Sequence, residues 1–193
     1  MIAPSALENL KMIRTAARRR SLVCLTGFMG SGKSTVGRQL AGHLGWLHVD
    51  LDKRITEASG MTIPDIFARL GEAEFRRIES EQLVWVLNEA AETQRSRIVS
   101  LGGGTVTQPQ NFALLREHSA TLIWLDCPID VLFHRCAQIT DRPLFRDEAS
   151  FRRLYEERLP VYQQSDFRVD GQGEPRHVVE QILALDVFPQ VTV

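Results

Sequence analysis

The chain has 193 residues, 44% of them apolar and 24% charged, with a formal net charge of −1. Those figures describe one globular domain around a single core. They exclude a protein drawn as a whole to nucleic acid or to an anionic membrane, so an anionic ligand must be held by positive charge gathered at a site.

Residues 1–20 end in Arg18-Arg19-Arg20 and lack the apolar stretch of a secretory signal, so they read as a basic N-terminal extension. No run in the chain approaches the ~20 apolar residues that cross a bilayer. Residues 21–26 (SLVCLT) form a short apolar run ending at a glycine-rich turn, the pattern of a buried parallel strand. Residues 33–44 then place Val36, Leu40 and Leu44 at helical spacing, and residues 47–50 form a second short strand with an acidic end. Residues 63–87 read as helical with a break at Gly71. A third strand at 97–101 (RIVSL) runs into three glycines, a fourth lies at 121–125 (TLIWL), and a weaker fifth at 167–169. Helical patterns at 110–118, 129–137, 150–164 and 175–185 separate these strands. Such alternation implies βαβ units and a parallel sheet, with ligands bound beyond the carboxyl ends of its strands. Cys24, Cys127 and Cys136 have neither C-x-x-C spacing nor histidine neighbours suited to zinc, and read as buried thiols.

Residues 27–34, Gly-Phe-Met-Gly-Ser-Gly-Lys-Ser, match G-x-x-x-x-G-K-[ST] between a predicted strand and a predicted helix, where a phosphate-binding loop must lie. Glycines allow the backbone N–H groups to turn inward around an anion, and the helix start adds the positive end of its dipole. Lys33 would reach the β- and γ-phosphates, and the Ser34 hydroxyl would ligate Mg²⁺. The motif says nucleoside triphosphate and leaves the phosphoryl acceptor open.

Asp50-Leu51-Asp52 follows the second strand; in an extended segment the two carboxylates share a face. One would serve Mg²⁺ and the other an acceptor hydroxyl, although either is also a favoured helix N-cap. Arg76 and Glu79 are three apart on a predicted helix, so Glu79 would orient a guanidinium suited to a carboxylate; on pattern alone, a solvated surface pair is the more usual explanation of such a cluster. Gly102-Gly103-Gly104 loses much conformational entropy on folding, which points to close backbone approach to a ligand or else to a plain tight turn. Asp141-Arg142-Pro143-Leu144 falls in a predicted loop from which Arg142 would close over the phosphates, exclude water and supply positive charge.

Taken together, GFMGSGKST (27–35), DLD (50–52), GEAEFRRIE (71–79), SLGGG (100–104), DRPL (141–144) and ERLPVY (157–162) resemble the shikimate kinase family from about residue 22 to 185. The resemblance implies a single-domain α/β P-loop kinase of the nucleoside-monophosphate-kinase type, with a five-stranded parallel sheet of order 2-3-1-4-5 flanked by helices. It implies a domain at 21–186 with a lid around 138–148, the extension at 1–20 and a tail at 187–193 lying outside it. The implied reaction is transfer of the γ-phosphoryl of ATP to the 3-hydroxyl of shikimate, with Mg²⁺ as cofactor, in a cytoplasmic monomer without nucleic-acid or membrane partners.

By position, the resemblance implies that Asp52 binds and activates the acceptor hydroxyl, with Lys33 and Arg142 completing the catalytic set. Gly30, Ser31, Gly32, Lys33, Ser34, Thr35, Arg135 and Arg142 would hold the nucleotide, with Arg135 packed on adenine and residues 169–175 on the base's other side. Ser34 and Asp50 would serve the metal, and Arg76, Arg158 and the Gly102–Gly104 backbone would clamp the shikimate carboxylate beside Asp52. The stretch VDGQGEP at 169–175 is shorter and richer in glycine than the family's adenine loop. Two rivals remain at this point. Another small-metabolite kinase of the same fold, such as a gluconate kinase or a nucleoside-monophosphate kinase, has the DLD, EFRR and GGG motifs against it; a neutral polyol would have no use for two arginines, and a nucleotide acceptor would want a base-binding pocket. A non-catalytic nucleotide sensor would have no use for Lys33, Asp52 and Arg142 together.

Overall fold

The computed structural model describes residues 22–137, 147–185 and 187–188. Its elements run β1 (Leu22–Thr26), α1 (Lys33–Leu44), β2 (Leu47–Asp50), α2 (Leu51–Ser59), α3 (Ile63–Arg69), α4 (Gly71–Thr93), β3 (Arg97–Ser100), a 3₁₀ turn (Thr105–Thr107), α5 (Pro109–Glu117), β4 (Thr121–Asp126), α6 (Ile129–Ala137), α7 (Glu148–Tyr162), β5 (Phe167–Asp170) and α8 (Pro175–Leu183). The five strands pair in the order β2-β3-β1-β4-β5, and every pairing is parallel.

Period-two alternation along β1 sends its side chains to two separate cores. Leu22 and Cys24 join the cluster built with Leu51, Leu83 and Tyr162, while Val23 and Leu25 join the one built with Leu40, Val178 and Ile182. Helices therefore cover both faces, and all three cysteines are buried and free. Burial alone pushes the Cys24 thiol up to about 12, which leaves it inert at neutral pH.

The expected elements are present, with one addition and one extension. The segment after β2 is not extended. A helix, α2, begins at Leu51, because the Asp50 side chain caps it by accepting from Lys53 N at 3.2 Å. The alternation argument for residues 50–52 is thus corrected: Asp50 ends a strand and Asp52 lies in the first turn of a helix, where its charge favours the positive end of the dipole. The break at Gly71 is real, with φ +84 between α3 and α4. Helix α4 continues past residue 87 to Thr93.

The helix α1 packs closely on β2 and β3. A Cβ at Gly37 would meet Ser100 Oγ at 2.5 Å and His48 Nε2 at 2.8 Å, so only glycine lets α1 lie this near the sheet. Ser100 Oγ donates to the Lys33 carbonyl at 2.9 Å and His48 Nε2 lies 3.0 Å from the same hydroxyl, tying the first turn of α1 to two strands.

Candidate active site

The carboxyl ends of β1, β2 and β3 deliver three segments to one rim of the sheet. Between β1 and α1, Gly30 and Gly32 adopt φ of +83 and +89, which side-chain-bearing residues rarely tolerate. Helix α1 has Gly32 at its N-cap and no side-chain capping bond, so its first amides point at the loop's interior. Lys33 Nζ donates to the carbonyls of Gly27 at 2.8 Å and Phe28 at 3.0 Å, so the ammonium lies across the loop. Ser31 is buried, Thr35 half-buried, and Ser34 exposed on the first turn of α1.

Beside the loop, Gly30, Ser31, Gly32, Thr35 and Val36 share a cleft of about 480 Å³ with Arg135 and residues 171–175. Arg135 is bonded directly to that second wall. It donates to Gly171 O at 3.2 Å and Gln172 O at 2.7 Å, and to Gly30 O at 3.3 Å. One guanidinium therefore fixes the spacing between the phosphate loop and the loop after β5.

The glycine run after β3 is where the remaining residues meet. These three glycines do not have positive φ; what they supply is room. A Cβ at Gly102 would sit 2.9 Å from Asp52 Oδ1 and 2.9 Å from Glu79 Oε1. One at Gly104 would sit 2.6 Å from Arg76 Nη1, and one at Gly103 would lie 3.5 Å from Arg158 Nη1 and 3.4 Å from Met29 N of the phosphate loop. Asp52, Arg76, Arg158 and the phosphate loop thus surround a single turn.

The two arginines are held in different ways. Arg76 donates to Glu79 at 2.8 Å and Glu72 at 3.1 Å. Burial works against its charge, but Glu79 and Glu72 outweigh that and hold the guanidinium above its ordinary range. Glu79 is itself fully buried and accepts from Thr105 Oγ1 at 2.6 Å. Arg158 is only 6% exposed, yet among the described residues it forms no ion pair. Its neighbours are the Phe28 ring, 5.6 Å from its Cζ, the Gly103 turn and the Tyr162 phenol. A guanidinium so buried without a carboxylate is costly unless an anion completes it.

Phe28, Thr105 and Tyr162 belong to this arrangement; Phe28 and Tyr162 lie inside the motifs GFMGSGKST and ERLPVY, but nothing in the sequence gives any of the three a role. Phe28 packs edge-on against Phe151 at 5.0 Å and Tyr155 at 5.4 Å, seating α7 on the phosphate loop. The only signal for Thr105 was its place directly after the third glycine. Arg142 and the lid expected around 138–148 fall, except for residues 147–148, outside the described residues. So do the extension at 1–20 and the tail, apart from residues 187–188.

Comparison with known proteins agrees with this geometry. The sequence model of the family described as shikimate kinase matches residues 29–186. The shikimate kinase of Persephonella marina is 38% identical over 163 residues, covering 83% of this chain and 96% of that protein. The solved structure of shikimate kinase from Acinetobacter baumannii in complex with shikimate superposes with a TM-score of 0.79 at 31% identity, covering 88% of this chain and 94% of the other. A gluconokinase from Sinorhizobium meliloti reaches a TM-score of 0.55 at 19% identity, over 86% of this chain and 91% of its own, and so shares the fold alone. On the match of the family model across most of its length and the identity to its relatives, this chain belongs to the shikimate kinase family.

Proposed function

We propose that the chain transfers the γ-phosphoryl group of ATP to the 3-hydroxyl of shikimate, giving shikimate 3-phosphate and ADP. The observation that carries this reading is Arg158, a buried cation without a carboxylate partner among the described residues, set on the same glycine turn as Arg76 and Asp52. A small anionic polyol supplies the missing negative charge and brings hydroxyls within reach of Asp52. A neutral polyol acceptor would leave Arg158 uncompensated.

The residues divide the work by position. The amides opening α1 and the Lys33 ammonium bind the β- and γ-phosphates. Gly30, Ser31, Gly32 and Thr35 line the nucleotide cleft with Arg135, which keeps its two walls apart at a fixed distance. Arg76 and Arg158 take the acceptor's carboxylate over the Gly102–Gly104 backbone. Asp52 accepts the hydroxyl proton as the oxygen attacks phosphorus and the bond to the β–γ bridging oxygen breaks, releasing ADP. Arg142 is assigned to the developing phosphoryl charge by its motif alone.

The donor set near the phosphate loop fits Mg²⁺. Ser34 presents an exposed hydroxyl and Asp50 a carboxylate of which Oδ1 is engaged by Lys53 N. Among the described residues no cluster of three or more His, Cys, Asp or Glu side chains is suited to a metal, in keeping with an ion held largely by phosphate and water. When bound, Mg²⁺ neutralises phosphate charge. The free, buried cysteines support a cytoplasmic location.

A coupled ADP-release assay tests the reading. Release is expected to depend on both ATP and shikimate, with gluconate giving only the background rate. Equal rates with and without shikimate, or a preference for gluconate, would overturn it.

A further inference from the structure

We infer that Thr105 is a positioning residue for acceptor binding: its hydroxyl occupies one oxygen of the buried Glu79 carboxylate, so that the other oxygen holds the Arg76 guanidinium against the Gly102–Gly104 turn. The inference rests on the role given to Arg76 above and extends it to a residue outside the binding set.

Thr105 follows the glycine run directly, opens the 3₁₀ turn and is fully buried. Its amide donates to the Gly102 carbonyl at 3.2 Å, which closes the turn. Its hydroxyl donates to Glu79 Oε1 at 2.6 Å, and a carboxylate only accepts, so the direction of that bond is fixed. Glu79 Oε2 accepts from Arg76 Nη1 at 2.8 Å. Gly102 leaves the room for this meeting: a Cβ there would lie 2.9 Å from Oε1 and 3.0 Å from the Thr105 hydroxyl. The hydrogen-bonded chain returns to the same turn, since Arg76 Nη1 lies 2.6 Å from where a Cβ of Gly104 would stand. Thr105 therefore ties the backbone that receives the acceptor's carboxylate to the arginine that grips it.

Two features make this hydroxyl matter to the ligand and not to the core alone. The Glu79 side chain is 1% exposed and that of Arg76 13%, so the carboxylate is sealed and the cation is the member of the pair that a ligand reaches. The last torsion of a glutamate is soft, and a carboxylate free to turn can set both oxygens on a guanidinium as a fork. With Oε1 committed to Thr105, Glu79 meets Arg76 through Oε2 alone. Glu79 and Glu72 then take one donor bond each from Arg76. The guanidinium is held in one orientation and keeps further N–H donors for the acceptor's carboxylate.

The test is a kinetic cycle on the full chain with Thr105→Val, which keeps the shape and loses the hydroxyl, Thr105→Ser, which keeps the hydroxyl, Arg76→Ala, and Thr105→Val combined with Arg76→Ala. Each is assayed with ATP and either shikimate or its methyl ester, and the melting point is read alongside. Thr105→Val is expected to raise the KM for shikimate about tenfold, the scale of one hydrogen bond to a charged group, with kcat and the KM for ATP unchanged. Thr105→Ser is expected to restore the wild-type KM. The ester lacks the charge that Arg76 grips, so its kcat/KM is expected to hold in Thr105→Val. In the Arg76→Ala background the valine is expected to add nothing, because the residue it acts through is gone. Should the valine variant not fold, Thr105→Ala also removes the hydroxyl and is read in the same way. Equal losses for acid and ester, a raised KM for ATP, or a tenfold loss that persists in the Arg76→Ala background would show a general structural role and overturn the inference. A raised KM in Arg76→Ala beside an unchanged one in Thr105→Val would overturn this inference alone. An unchanged KM in Arg76→Ala would overturn the carboxylate reading and this inference with it.

Discussion

Replacing Asp52 by Asn is expected to lower kcat by about 10²–10⁴-fold, the usual worth of a positioned general base, while leaving ATP affinity intact. Asn has the same shape, so the close approach to Gly102 and the packing of α2 survive. What it lacks is the ability to take the acceptor's proton. Asp52 lies at the acceptor side of the glycine turn, against Gly102, whereas the nucleotide cleft is lined by the phosphate loop, Arg135 and residues 171–175. Turnover measured by ADP release and nucleotide affinity measured by calorimetry separate the two effects. Wild-type turnover would remove the base role, and loss of ATP binding would move Asp52 to the nucleotide side.

The second large effect is expected at Arg158. Its removal takes away the one cation at the turn that has no carboxylate partner among the described residues. Losing one partner of a buried charge pair costs ~2–4 kcal/mol, or about 30- to 1000-fold in kcat/KM for shikimate. The KM for ATP is expected to hold, because Arg158 touches the phosphate loop through the Phe28 ring and not through the amides that open α1. Lysine at this position is expected to recover only part of the loss, since a point charge cannot offer a carboxylate the two parallel donors of a planar fork. Steady-state kinetics with each substrate varied in turn read this directly.

The uneven legibility of this chain in its sequence has physical causes. The strands and the phosphate loop are local features: an apolar run, a turn that needs glycine, a helix start that needs lysine and serine at fixed offsets. They fall where the residues say, as when the strand expected at 97–101 forms at Arg97–Ser100. The helix α2 enters the sequence only through the capping alternative for Asp50 and Asp52, which holds at Asp50; its other signals are Leu51 and Ile55, buried one turn apart, and Gly60 at φ +66 as its stop. The Asp-Leu-Asp pattern fits an extended segment equally well, and only the capping bond decides. Helix α4 outran its expected end because residues 88–93 (NEAAET) contain no glycine or proline; the chain turns at Gln94, which takes φ +53.

The site shows the same division. Glu79 orienting Arg76 follows from helical spacing and is found at 2.8 Å. The glycine run was expected to admit a ligand's approach; its first evident use is to admit Asp52, Glu79 and Arg76. The place of Arg158 in the clamp comes from the family resemblance alone, and its burial without a carboxylate partner among the described residues is not legible in the sequence. A lone arginine is solvated far more often than not, and what makes this one different is contributed by Phe28, Gly103 and Tyr162, brought together only by the fold.

The carboxylate grip is the claim on which the substrate assignment stands, and the most direct measurement is kcat/KM for shikimate against that for its methyl ester. The ester keeps every hydroxyl and loses only the negative charge. A drop of at least ~100-fold is expected, since a site built around a buried charged hydrogen bond rejects the analogue that cannot complete it. Equal values for acid and ester would contradict the account, because the turn that joins Arg76 and Arg158 would then be reading something other than a carboxylate.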